Sequence, residues 1–183
     1  TAAGNFFGKN AYIGVAGDFG TLMLGNQESL FKTEAAATDA FGSSRLLATT
    51  KLFLVNNAPN ATELDGSWQN TVGYTSPNLS GLTLSAQYSA KEGNKTTLTG
   101  QGGAYSVAAN YTVGSLALSA VYGDVKQAAS GGDNTKNRAF LLGGSYDFGV
   151  VKAFAHYGQD KRTTTSTGAD QNKATFFDLG AVV

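Results

Sequence analysis

Along most of this chain apolar residues recur at every second position, and runs of that kind are punctuated by Gly, Pro, Asn and Asp. In NTVGYTSPNLSGLTLSAQYSA, residues 70–90, Val72 and Tyr74 alternate with small or polar residues before the turn-forming SPNLSG. Alternation resumes with Leu82, Leu84, Ala86 and Tyr88 on one face and Thr83, Ser85, Gln87 and Ser89 on the other. Period two around turn residues marks paired strands. The same reading predicts nine strands, near residues 6–17, 20–27, 69–76, 82–90, 103–113, 116–124, 138–148, 150–159 and 174–183. Helical periodicity is nearly absent. Its best case is ESLFKTEAAATDAF, residues 28–41, with room for one or two turns.

The connections sort by length. Four are tight (18–20, 77–81, 114–115 and Gly149) and four are long and polar (28–68, 91–102, 125–137 and 160–173), in strict alternation. Antiparallel hairpins joined in this way gather the short turns at one end of the sheet and the long loops at the other, which is the layout of an outer-membrane barrel.

The faces sharpen the prediction. Tyr105, Val107, Ala109, Tyr111 and Val113 share one side of their strand, as do Leu116, Leu118, Ala120 and Tyr122 of the next, and Phe140, Leu142, Gly144, Tyr146 and Phe148 of a third. The opposite sides carry Ser106, Asn110, Thr112, Ser119, Ser145 and Asp147, mixed with Gly and Ala. A soluble sandwich core produces the same alternation, so the aromatics decide. Tyr88, Tyr105, Tyr122, Phe140 and Tyr157 lie on the apolar side near the long loops, and Phe19, Tyr74, Tyr111, Tyr146 and Phe148 lie near the short turns. Two aromatic girdles around an aliphatic band suit a lipid-facing surface, because amphipathic rings settle at the headgroup level. The apolar face is therefore expected to look at lipid and the polar face at a wet interior.

Composition narrows the function classes. Lys and Arg together balance Asp and Glu, so no basic field points to nucleic acid. Only 14% of residues are charged, against about 25% in soluble domains. Cysteine is absent and there is one histidine, which excludes disulfides, thiol catalysis and metal sites built on Cys and His spacing. No apolar run reaches the roughly 18 residues of a transmembrane helix. No GxSxG elbow accompanies His156, the DFG at 18–20 and 147–149 reads as a hairpin turn, and Gly100, Gly102 and Gly103 lack a strand–helix phosphate cradle. An enzyme is not expected, and no cofactor is implied.

Three segments resemble the general-diffusion porins of Gram-negative proteobacteria, of the neisserial and betaproteobacterial type: NAYIGVAGDFGTLMLGNQ (10–27), NTVGYTSPNLSGL (70–82) and LLGGSYDFGVVKAFAHYG (141–158), in the family's order. The resemblance implies an all-β fold, an antiparallel transmembrane β-barrel of 16 strands, usually trimeric, in the outer membrane. The nine strands would be an interior portion, roughly the fourth to the twelfth. It also implies that residues 28–68, within a single porin segment spanning 1–183, are the loop that folds inward and narrows the pore. Two departures from the family pattern, Asn26 in place of an arginine and Lys9–Asn10 in place of an arginine pair, argue against strong anion selectivity.

A pore selects by size and by the charges at its narrowest ring. The candidates in the long loop are Lys32, Glu34, Asp39, Arg45 and Lys51. On the wall, Asn10, Asn110, Lys152, His156 and Asp178 are expected on the lumen side. Arg138 falls on the apolar side at the loop end of its strand, where a long side chain can snorkel. The expected function is passive diffusion of small hydrophilic solutes and ions. A substrate-preferring channel would carry an aromatic ladder inside, for which Tyr12, Phe154 and Phe176 are the only inward aromatics predicted. A surface adhesion sandwich would need the apolar faces to cover one another. The partners expected are outer-membrane lipid, small solutes and ions, and two further copies of the chain, with no nucleic acid.

Overall fold

Alternating β-branched, aromatic and small residues leave each segment an apolar and a polar edge, and the chain resolves this by pairing every strand with its sequence neighbours. The computed structural model describes residues 10–40, 64, 66–90, 100–128, 135–164 and 167–183. It contains nine strands: β1 (Ala11–Gly17), β2 (Gly20–Glu28), β3 (Ser67–Thr75), β4 (Leu82–Ser89), β5 (Gly100–Val113), β6 (Leu116–Ala128), β7 (Thr135–Asp147), β8 (Lys152–Thr164) and β9 (Asp170–Val182). Among the described residues one helix, α1 (Leu30–Ala37), follows β2. All nine strands form a single antiparallel sheet in chain order, open at β1 and β9.

The turns hold where special backbone is required. Gly20 closes the β1–β2 hairpin at φ +102°, and a Cβ there would meet the Thr75 carbonyl at 2.2 Å. The β7–β8 turn is secured by Phe148 N–H donating to Val151 O at 3.0 Å and Gly149 N–H donating to Asp147 Oδ1 at 2.7 Å.

The loop-side strand ends differ from expectation. β6 runs to residue 128, β7 starts at 135, β8 runs to 164 and β9 starts at 170, so the connections expected at 125–137 and 160–173 shrink to 129–134 and 165–169. Pairing continues through these extensions, with Lys126 opposite Lys136 and Arg138 opposite Lys161, and the β8–β9 register shifts once, between Arg162 and Thr163. Apart from Val125 and Ala128 of β6 their residues are mostly polar on both faces, so the hydrogen-bonded ladder persists where the hydrophobic alternation has stopped. The first strand begins at Ala11, and the expected portion over 6–9 lies outside the described residues.

Polarity is inverted relative to a soluble domain. Ile13 is 74% exposed, Phe177 67% and Leu179 68%, in company with Leu84, Tyr88, Val107, Leu118 and Leu142. Ser85, Gln87, Ser89, Ser106, Ser119, Ser145 and His156 are buried on the other side. No second sheet covers the apolar face among the described residues, contrary to what a sandwich requires.

The inner face is covered in part by α1. Phe31 and Ala35, one helical turn apart, are fully buried with Leu64 and Trp68 against Ala104, Ala108, Val121, Val125, Ala139 and Leu141 of β5–β7. This apolar docking patch on an otherwise polar wall was not expected from the alternation.

Candidate functional site

The site is the polar inner face and the helix laid over it. Ser29 caps α1: its hydroxyl accepts from Lys32 N–H at 3.3 Å and donates to the Leu64 carbonyl, satisfying a helix end that would otherwise be orphaned. Gln87 of β4 clamps the same end, accepting from Leu30 N–H at 3.1 Å and donating to Glu28 O at 3.0 Å. The helix start is thereby hydrogen-bonded to the wall at two points.

Further along, Glu34 Oε2 accepts from Asn110 Nδ2 of β5 at 2.6 Å. Burial beneath the helix pushes the Glu34 carboxyl above its ordinary value, and the Asn110 hydrogen bond opposes that rise in part. At the helix C-cap, Thr38 Oγ1 lies 3.0 Å from His156 Nε2, and His156 Nδ1 lies 3.4 Å from Asp178 Oδ2. An Nδ1–H donated to the carboxylate leaves Nε2 to accept the Thr38 hydroxyl, so three elements are joined through one imidazole.

Glycines on the wall make room for these contacts. A Cβ at Gly143 would sit 2.2 Å from Thr38 Oγ1 and 2.9 Å from the His156 ring, and one at Gly123 would sit 2.6 Å from Leu64 Cδ2. The helix approaches as closely as it does because those two positions carry no side chain.

Of the five candidates in the long loop, Lys32 and Glu34 lie on α1 and Asp39 is buried just beyond it; Arg45 and Lys51 lie outside the described residues. Lys32 pairs with Glu28 one turn earlier at 2.5 Å, so its charge is largely compensated within the loop. The wall candidates Asn110, Lys152, His156 and Asp178 all have the expected parity, on the face opposite Leu142, Tyr157 and Phe177. Lys152 Nζ stands 5.3 Å over the Phe154 ring near the short-turn end, and Asn10 Oδ1 accepts from Glu28 N–H at 3.1 Å. Tyr12, Phe154 and Phe176 share the inner parity too.

The reading of the sequence missed Gln87, Thr38, Asp160 and Arg162. Extending the parity of Lys152, Phe154 and His156 by two and three more steps would have placed Asp160 and Arg162 inside, where both have inner-face register. Between α1 and β1–β5 an open cavity of about 350 Å³ remains, bordered by Tyr12, Met23, Glu28, Glu34, Thr83 and Asn110. Its lining mixes amide, hydroxyl and carboxylate groups, a surface that keeps water and dissolved polar solutes in hydrogen-bonding company.

A sheet with oil outside, polar groups inside and a helix folded onto the polar side is the wall of a membrane-spanning β-channel. The family model of the Gram-negative porins matches residues 1–183, and the chain belongs to that family. Its place is accordingly the outer membrane, which it crosses with strands. The anion-selective porin from Comamonas acidovorans superposes with a TM-score of 0.82 at 23% identity, over 98% of this chain and 54% of that one. OmpT of Vibrio cholerae, folded in vitro, gives 0.51 at 17% identity, over 94% of this chain and 64% of that one. The chain thus spans little more than half the length of the first of these structures. No curated protein sequence matches it.

Proposed function

We propose that the nine strands are part of a closed, water-filled barrel, assembled as a trimer, through which small hydrophilic solutes and ions diffuse passively, and that residues 28–68 narrow the passage. The carrying observation is the inverted polarity: large apolar side chains exposed on one face, and a polar face partly covered by a helix tied down at Ser29, Glu34 and Thr38. The open edges at β1 and β9 support closure by further strands, since unpaired backbone groups are expensive in lipid. The role proposed is that of a channel, with no catalytic step.

Selectivity in this reading is weak and leans toward cations. With Lys32 and Glu28 paired to each other, the inner face among the described residues carries Glu34, Asp39, Asp147, Asp160 and Asp178 against Lys152 and Arg162. The anion selectivity of the Comamonas porin is therefore not carried over. The test is single-channel conductance of the whole barrel in a planar bilayer under a salt gradient. Ohmic steps that close in thirds at high voltage, with a reversal potential of cationic sign, support the proposal. Insertion without conductance would overturn it.

A further inference from the structure

Most polar groups around the 350 Å³ cavity beneath α1 are already engaged. Both ends of the Gln87 amide hold the helix start, and Asn10 Oδ1 accepts from Glu28 N–H. Gln27 donates to Thr71, and Thr33 donates to helix carbonyls. Three acceptors stay open among the described residues. Glu34 takes the Asn110 N–H on one carboxylate oxygen only, Asn110 keeps its amide oxygen, and the Thr83 hydroxyl has no partner. Thr83 lies directly opposite Asn110 in the β4–β5 ladder, which puts their Cβ atoms about 5 Å apart. All three residues are half-buried, so their oxygens converge on one spot that a solute can reach.

The chemistry of that spot selects its guest. No basic side chain borders the cavity among the described residues, and the second carboxylate there, Glu28, is held by Lys32. Glu34 is thus an uncompensated anion, which disfavours carboxylates, phosphates and zwitterionic amino acids. A bare divalent cation asks for about six or more oxygen ligands, and one carboxylate with two neutral oxygens falls short of that. An ammonium group carries three N–H donors, one for each open acceptor. Ser85, two residues from Thr83 on the same face and about 7 Å along the strand, shares a 3.1 Å hydrogen bond with Thr75. That hydroxyl pair makes the neighbouring floor polar, so it suits a hydroxylated body better than an alkyl chain.

We infer that the cavity beneath α1 binds a protonated amino sugar, its ammonium on Glu34, Asn110 and Thr83 and its hydroxyls over Thr75 and Ser85. The inference rests on the channel reading, since the solute reaches the cavity from a water-filled interior. A cation seated there favours the ionised form of Glu34, whose carboxyl burial holds above its ordinary value. Affinity therefore falls as the pH drops through that raised value. The other ionisable groups facing the site among the described residues are the paired Glu28 and Lys32, and Tyr12.

The test titrates the whole barrel in detergent with glucosamine, read by saturation-transfer NMR, and records conductance of the same preparation in a planar bilayer. Glucosamine should bind saturably. N-acetylglucosamine, which lacks the charge, should bind about tenfold more weakly, and cyclohexylammonium, a ring without hydroxyls, should also bind more weakly. Glu34→Gln should weaken glucosamine about tenfold and abolish the loss of affinity on acidification, which a merely structural role would leave in place. If that variant fails to fold, Thr83→Val should still give roughly a fivefold loss. Equal binding of N-acetylglucosamine, or unchanged affinity in the variants, overturns the inference. Equal binding of cyclohexylammonium overturns it too, because the site would then serve any organic cation. A barrel that conducts without saturable glucosamine binding removes the site and leaves the channel reading standing. A barrel that binds glucosamine through Glu34 but does not conduct supports the site and removes the channel.

Discussion

Glu34 is the residue on which chemistry and position meet most closely. Burial raises its carboxyl above the ordinary value of 4.5, and Asn110 holds the group against the wall at 2.6 Å. The neutral form is favoured by burial, so docking of α1 through this contact is strongest below 4.5 and weakens as pH climbs through the raised value. The same titration removes one negative charge from the proposed constriction on acidification. The reversal potential should therefore move toward anions at a pH above that of an ordinary carboxylate. Glu34→Gln should shift the neutral-pH value in that direction and shrink the remaining acid-side change. A shift of unchanged size in the variant would assign the effect to other carboxylates. Gly143 offers a second probe at this scale. Gly143→Ala drives a methyl into Thr38 and His156, so the Thr38–His156 contact must open. A buried polar group left unpartnered costs about 1–3 kcal/mol, and flickering, enlarged single-channel currents are expected with the barrel still folded. Glu34 and Asn110 were both legible as polar candidates in the sequence, though their pairing was not, and Gly143 could not be read at all. A glycine in a strand reports only that something approaches, and what approaches Gly143 is more than 100 residues away in the chain.

Among the elements, α1 is held by packing more than by its own propensity, since eight residues are too few for a stable helix in water. Phe31 and Ala35 supply the buried stripe, and Leu64 and Trp68 close over the same patch. Phe31→Ala should cost docking about 3–5 kcal/mol while leaving the sheet intact. Strand content by circular dichroism should stay constant while conductance rises. Loss of strand content in the variant would mean that the loop is needed to build the barrel as well as to narrow it. The helix itself was legible, because ESLFKTEAAATDAF is the one stretch where alternation fails and helix formers accumulate. Its landing place was not. Val121, Val125 and Leu141 interrupt the polar inner face with apolar residues, and in a single strand that looks like a weakened alternation. The loop-side ends of β6–β9 were hidden for the opposite reason. Once a strand leaves the apolar band, both its faces meet water or headgroups, and the period-two signal that defines it disappears although its hydrogen bonds continue.

For the whole molecule, the decisive quantity is which side of the sheet meets hydrocarbon, and adjacent residues of β4 can measure it. Leu84 is 45% exposed on the apolar face between the two girdles, while Thr83 points the other way, into the open cavity beneath α1. The two positions differ in depth by a single residue step, about 3.4 Å, so a charge placed at either one samples nearly the same level of the bilayer. A lysine facing lipid near the midplane costs about 2–4 kcal/mol, whereas one in a wet lumen keeps its hydration. In vesicle-embedded whole barrels unfolded by denaturant, Leu84→Lys should lower stability by that amount. Thr83→Lys should stay within about 1 kcal/mol of wild type, its ammonium lying in the cavity beside Glu34. Should the order reverse, the apolar face would be an interior after all, and the exposed Leu, Val and Tyr side chains would need a protein partner. If both variants lose stability equally, the cavity beneath α1 excludes water, and the passage runs along another part of the wall. Only the reversed order is incompatible with lipid outside, and the first result alone also puts water in the cavity beneath α1, the arrangement on which the channel reading rests.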